Sequence, residues 1–182
     1  SDLDPTRHDA LVLGPGLGLQ AGAEVRALWE RFEGPVVADA DALTLLALEE
    51  STLPEGRVRA ITPHSAEAAR LLGRSRSEIE QDRFGALEQL RAWGTPLLKG
   101  PHSLVGTVPG TREPTWVNAT GGVALATAGT GDVLAGLVGA HLAAGMRPDR
   151  ALALAAWRHG RAGDDLRLGA TASDLLEALR DH

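Results

Sequence analysis

The sequence predicts an α/β fold in which a mostly parallel sheet is flanked by helices. Three observations lead there. Short apolar runs alternate along the chain with stretches of helical period, the pattern of strands joined by helical crossovers. Most runs stop at Gly, Pro, Asp or Asn, residues that turn a strand into a loop. Of the 182 residues, 43% are hydrophobic but only 3% aromatic. The core is therefore built from Leu, Val and Ala, which suit helices lying close on a parallel sheet better than an aromatic-rich sandwich.

The first run, residues 10–13, ends in Gly14-Pro15-Gly16-Leu17-Gly18 and precedes a helix predicted over 21–32. Residues 36–38 form a second run, stopped by Asp39-Ala40-Asp41 before an Ala/Leu-rich helix to about Glu50, with Asp41 as its cap. The third, 58–61, ends in Thr62-Pro63-His64, and Ser65 reads as the N-cap of a helix through Leu72. Ser75-Arg76-Ser77-Glu78 is a capping box opening a longer helix to about Trp93. Leu97-Leu98 runs into Lys99-Gly100. Leu104-Val105 and Trp116-Val117 read as a hairpin around the charged stretch 109–114. The strongest helix follows Gly129-Thr130-Gly131. Val133, Leu134, Leu137, Val138, His141 and Leu142 form its apolar stripe, and Gly145 with Pro148 ends it. Asp149 is expected to cap the next helix, and Thr171-Ala172-Ser173-Asp174 the last. No repeat or linker interrupts residues 1–182, which read as one domain.

Charge and composition exclude several classes. Lys and Arg total 18 against 24 Asp and Glu, a net −6 with no basic stripe. Nucleic acid and anionic membrane surfaces are therefore not expected partners. No apolar stretch approaches a membrane span, and the opening Ser1-Asp2-Leu3-Asp4-Pro5 does not read as a signal peptide, so a cytoplasmic location is expected. Without cysteine there is no disulfide, thiol nucleophile or thiolate metal site. His8, His64, His102, His141, His159 and His182 are scattered without metal-ligand spacing.

The Gly14–Gly18, Asp39-Ala40-Asp41, Thr62-Pro63-His64 and Lys99-Gly100 segments each directly follow an apolar run. In open parallel sheets, ligands bind beyond the carboxyl ends of the strands, so these segments predict one shared cleft holding Gly16, His64, Lys99, Gly131 and Asp132. The Gly14–Gly18 stretch is either a backbone loop approaching a phosphate or ribose, or a tight strand-to-helix turn. It lacks the Lys-Ser/Thr of a P-loop, and its third Gly is misplaced for a dinucleotide fingerprint. Asp39 and Asp41 could hold Mg²⁺ through water or bind sugar hydroxyls; alternatively one caps a helix and the other is solvated. His64 is stiffened by Pro63 and Glu67 suits the helix dipole, so both have structural readings. Lys99 beside Gly100 can bring a point charge to a phosphate, or simply reach water along its stem. Replacing Lys99 by Ala is then expected to weaken binding of that phosphate-bearing ligand and leave the fold intact. Asn118-Ala119-Thr120-Gly121-Gly122 precedes Ala128-Gly129-Thr130-Gly131-Asp132, whose N–H groups and helix dipole make an anion hole. Asp132 stands at its mouth, unless it is only an N-cap.

These motifs, in this order, resemble the ADP/ATP-dependent NAD(P)H-hydrate dehydratase family, which has a ribokinase-like fold. The resemblance rests on the Gly14–Gly18 loop, Asp39-Ala40-Asp41-Ala42-Leu43, Thr62-Pro63-His64 with Glu67, Leu98-Lys99-Gly100, Asn118 with Gly121, and Gly129 through Gly136. His159-Gly160-Arg161-Ala162-Gly163-Asp164 and the segment from Thr171 to Leu176 are similar to the family's C-terminus. Pro101-His102-Ser103 departs slightly, since the family tends to end that loop in Thr; Ser103 keeps the hydroxyl. A larger departure is that only about ten residues precede the first strand. Family members begin earlier, with further strands and part of the hydrate pocket. The expectation is an N-terminally incomplete domain, a missing piece supplied by another chain, or lost activity.

The resemblance implies repair of hydrated NADH or NADPH at the expense of ADP or ATP, with Mg²⁺ accompanying the nucleotide. Asp132 would be the base, and Gly129, Thr130 and Gly131 would stabilise the transferring phosphoryl. Lys99, Gly100, Pro101, His102, Ser103 and Gly131 would hold the nucleotide. Gly16, Gly18, His64 and Asp132 would contact the hydrated dinucleotide, with Asp39, Asp41, Glu67 and Asn118 as further candidates. A homo-oligomer, a tetramer by resemblance, is implied. The rival readings are a small-alcohol kinase of the same fold, of the hydroxymethylpyrimidine or hydroxyethylthiazole type, and a non-catalytic nucleotide-binding module.

Overall fold

The computed structural model describes residue 4 and residues 7–111 and 113–182. Ser1, Asp2, Leu3 and Pro5 of the opening segment, and Arg112 of the hairpin loop, lie outside the described residues. Among the described residues, six strands form one sheet whose spatial order is their chain order. They are β1 (Leu11–Leu13), β2 (Val36–Ala38), β3 (Arg59–Ile61), β4 (Thr95–Leu98), β5 (Leu104–Val105) and β6 (Trp116–Val117). The first four run parallel, in the register Val12 beside Val37 and Val37 beside Ala60. The last two return antiparallel through the predicted hairpin.

Alternation along each strand sorts the core into two layers. Val36, Ala38, Ile61 and Leu98 face one side. There they meet α1 (Gly22–Arg31), α2 (Ala40–Leu48), α3 (Ser65–Leu72), α4 (Arg76–Gln81) and α5 (Arg83–Leu90). Val37, Ala60, Leu97 and Val105 face the other side, against α6 (Thr130–Ala143) and α7 (Pro148–Asp164). The apolar stripe of α6 divides accordingly. Leu134, Val138 and Leu142 pack on the sheet, whereas Val133 and Leu137 meet a satellite cluster with Leu175 and Leu179, around α8 (Ala172–Ala178).

Four expectations are corrected. His64, not Ser65, caps α3: its Nδ1 accepts from the Ala66 and Glu67 N–H groups, while Glu67 accepts in return from the His64 N–H. The helix predicted from Ser75 to Trp93 breaks at Asp82, whose side chain accepts from the Gly85 N–H at 2.8 Å and starts α5. A short polar side chain competing for backbone donors is sufficient cause. Asp149 lies inside the first turn of α7 behind Pro148, fully buried and paired with Arg147. Asp41 does not cap α2; it sits in the first turn and accepts from the Gly18 N–H at 2.9 Å.

Arg59 carries no sequence signal, yet it closes one end of the sheet. It is 2% exposed and donates to the carbonyls of Trp29, Phe32, Gly34 and Val58. It thereby satisfies backbone acceptors at the end of α1 that the helix leaves open. Burial lowers its pKa to about 10.

Candidate active site

The carboxyl ends of β1 to β4 deliver the predicted segments to one edge of the sheet. Gly14, at φ +127°, lies so close to Asp39 that a Cβ would fall 1.7 Å from the Asp39 carbonyl oxygen, so only Gly fits there. Across the next strands, Lys99 Nζ is 2.6 Å from Asp39 Oδ1 and 3.8 Å from Glu67 Oε2. Both carboxylates are buried. Burial pushes the Glu67 carboxyl up from its ordinary value, while Lys99 and His64 pull it back. The α6 N-terminus adjoins this triad: a Cβ on Gly131 would lie 3.5 Å from Lys99 Nζ and 3.7 Å from Asp39 Oδ2.

The start of α6 is open to a ligand. Gly129, at φ +87°, holds the N-cap position, and among the described residues no side chain caps the helix. The first backbone bond into it runs from the Val133 N–H to the Gly129 carbonyl. Among the described residues, the Gly131 and Asp132 N–H groups therefore have no acceptor. Asp132 is the third helical residue, exposed, and its carboxylate makes no hydrogen bond or ion pair among the described residues. The N-cap reading of Asp132 is thus excluded.

Beside this turn lies a cavity of about 890 Å³. His64, Lys99, Gly100, Pro101, His102, Ser103, Asn118, Thr130 and Gly131 all line it. Gly129, Gly16, Gly18, Asp39, Asp41, Glu67 and Asp132 do not. Of the five residues expected in one cleft, three share the cavity. Asp132 follows Gly131 in the exposed turn, and Gly16 stands in the exposed loop after β1. The Asp39–Asp41 pair is not a free metal clamp, because Lys99 holds one carboxylate and the Gly18 N–H the other. Asn118 acts as a staple. Its Nδ2 donates to the carbonyls of Thr120 and Ala156, joining the loop beyond β6 to α7.

A family description, NAD(P)H-hydrate dehydratase, matches residues 3–182. The chain belongs to this family. It is 41% identical, over 94% of its length, to the ADP-dependent (S)-NAD(P)H-hydrate dehydratase of Neisseria meningitidis, and spans 62% of that protein. It is also similar to the Bacillus subtilis ADP/ATP-dependent NAD(P)H-hydrate dehydratase co-crystallised with ATP/Mg²⁺ and soaked with CoA. That match has 27% identity and a TM-score of 0.82, covering 95% of this chain and 64% of the other. An Arabidopsis thaliana ribokinase, 16% identical with a TM-score of 0.60, shares the fold alone. The ribokinase-like fold expected from the motifs is therefore present.

In this dehydratase-family chain, the 159–164 segment was legible as a motif but not as a wall of the site. Gly160 and His159 line the cavity, and Asp164 Oδ1 accepts from the Gly121 N–H at 3.0 Å. A Cβ on Gly160 would come within 2.7 Å of the Thr120 backbone carbon. Gly160→Ala is accordingly expected to push the 118–122 loop outward, costing about 1–3 kcal/mol of stability. Binding of a ligand in the cavity should weaken as well, both effects being measurable by denaturant titration and calorimetry.

Two histidines are expected to make part of the stability acid-sensitive. Burial lowers the pKa of His159, and burial with nearby Arg158 lowers that of His141. The unfolded chain therefore takes up protons first, below the ordinary histidine value of 6.5. The stability these rings contribute is complete above that pH and declines as the pH falls through the window beneath it. Glu67, raised by burial, works in the opposite direction at lower pH. Urea midpoints measured at neutral and mildly acidic pH should show the decline, and His141→Gln should make it shallower.

Proposed function

We propose that the chain carries the nucleotide-dependent dehydration of NADH or NADPH hydrate, drawing its phosphoryl group from ADP or ATP. The observation that carries this reading is the Asp132 carboxylate, without a partner among the described residues, in a helical turn that none of them caps, one residue past a cavity of nucleotide size. The nucleotide lies in the cavity along Lys99, Gly100, Pro101, His102 and Ser103, its outer phosphate at Gly129, Thr130 and Gly131. The hydrate lies between Gly16, Gly18, His64 and Asp132. Asp132 takes the proton of the hydrate hydroxyl as the hydroxyl oxygen attacks the outer phosphorus; the bridging P–O bond breaks, AMP or ADP leaves, and the N–H groups of the turn receive the developing charge. Lys99, held by Asp39 and Glu67, adds a fixed positive charge at the same place. The ring nitrogen lone pair then expels phosphate, and loss of a proton from the adjacent carbon restores the dihydronicotinamide.

Among the described residues no three His, Cys, Asp or Glu are grouped to hold a metal. We propose a Mg²⁺ that keeps its waters and is carried by the nucleotide phosphates; Asp39 and Glu67, already paired with Lys99, would reach it only through those waters. Bound there, Mg²⁺ would neutralise phosphate charge during transfer. No helix among the described residues is long and apolar enough to cross a membrane, which fits the proposed cytoplasmic setting. We further propose that residues 1–182 act as one domain within a homo-oligomer.

The test is incubation of hydrated NADH with ADP or ATP and Mg²⁺, following dihydronicotinamide absorbance and free phosphate together. Matched recovery of both is the expected result. A stable phosphorylated alcohol would point to a kinase, and nucleotide binding without either product to a binding module.

A further inference from the structure

His159 is a buried titratable group that the reaction above does not use. It lies on α7, is 8% exposed, and faces the nucleotide cavity. Its Nε2 stands 2.8 Å from the Thr130 carbonyl oxygen. A carbonyl can only accept, so Nε2 carries the hydrogen and the neutral ring keeps its lone pair on Nδ1. Burial favours that neutral form by lowering the ring's pKa.

Thr130 is the first residue of α6. Its hydroxyl is also engaged, 2.7 Å from the Leu125 carbonyl oxygen and 2.8 Å from that of Thr127. The turn carrying Gly131 and Asp132 is therefore gripped from outside the helix, on both the carbonyl and the side chain of one residue. The geometry points to His159 as a positioning residue, whose Nε2–H fixes the Thr130 carbonyl so that the Gly131 and Asp132 N–H groups stay aimed at the outermost phosphate of a nucleoside di- or triphosphate. This rests on the nucleotide reading above.

The physical case is one of preorganisation. A first helical turn lacks half of its backbone bonds and frays readily. Donors that stabilise transferring charge are effective only when they need not reorganise as the charge develops. A hydrogen bond from a buried ring on a neighbouring helix removes the freedom that an uncapped turn would otherwise keep. Because His159 holds the turn that receives the outer phosphate, its contribution belongs to ligands that carry one.

Equilibrium binding of ADP and of AMP, without turnover, tests this in the wild type, His159→Gln and His159→Asn. The Gln amide nitrogen stands in for Nε2, and the Asn nitrogen for Nδ1. His159→Gln is expected to keep the wild-type preference for ADP over AMP within about twofold, whereas His159→Asn loses about tenfold of it, the worth of one hydrogen bond, at unchanged AMP affinity. Equal losses for the two nucleotides in His159→Asn, or identical behaviour of the two amides, would overturn the inference. Should His159→Asn fail to fold, the nitrogen signals of the wild-type ring decide: an Nε2–H tautomer supports the assignment, and an Nδ1–H tautomer refutes it. A wild type that binds neither nucleotide defeats the nucleotide reading and this inference together, which distinguishes that failure from failure of the inference alone.

Discussion

Asp132→Asn is expected to leave the fold standing and to abolish most of the turnover. The carboxylate is exposed, has no partner among the described residues and does not occupy the cap position of α6. Its stabilising role is confined to the helix dipole, so losing the charge costs about 0.3–1 kcal/mol. Asn cannot take a proton from the hydrate hydroxyl, and loss of a positioned base lowers turnover by about 10²–10⁴-fold. Nucleotide affinity should hold or rise slightly, because a negative charge near the phosphates has gone. Paired melting curves and single-turnover rates check this. A variant that melts far lower yet keeps its rate per folded molecule would show that Asp132 is structural, and the proposed mechanism would fall with it.

Lys99→Ala should do more damage than the sequence alone suggests. Asp39 is 1% exposed and lies 2.6 Å from the ammonium, with Glu67 close behind. Removing Lys99 strands a buried carboxylate, a change that costs about 3–5 kcal/mol when one partner of a buried pair is deleted. The lower end applies here, since the Lys99 side chain keeps 19% of its exposure. Adding Asp39→Asn removes the stranded charge, so the double variant should regain much of the lost stability but none of the lost nucleotide affinity. Chemical denaturation and ADP titration on the four members of the cycle separate the two effects. Nucleotide affinity returning together with stability would reduce Lys99 to a structural residue.

How much was legible follows from where each signal lies. The Gly14–Gly18, Asp39-Ala40-Asp41, Thr62-Pro63-His64 and Lys99-Gly100 segments announce strand ends because each needs residues that stop a strand, and parallel strands bring those ends to one edge. The caps at His64 and Asp82 were missed because the choice between neighbouring polar residues depends on which side chain the tertiary fold leaves free. The Lys99–Asp39 pair spans 60 positions, and nothing local in either segment names the other. Arg59 and His159 were opaque for the same reason: both bond to backbone carbonyls, which every residue possesses. A motif can announce that residues 159–164 matter, but only packing shows that they brace the loop after β6 and the first turn of α6.

The strand order has a bearing on how the protein is made. Because each strand pairs with the next in the chain, assembly can advance from β1 to β6 by closing one modest loop at a time, without waiting for a distant segment. The nucleotide cavity does not follow that schedule. Its walls run from the end of β3 to His159 and Gly160, so it closes only when α7 docks on a sheet already built. On the proposed function, a bound nucleotide would favour the finished molecule over its precursors, and by mass action it would raise the free energy of late-stage opening. Adenine-nucleotide concentration would then govern how long the folded molecule resists late-stage opening, as well as the rate of the proposed reaction.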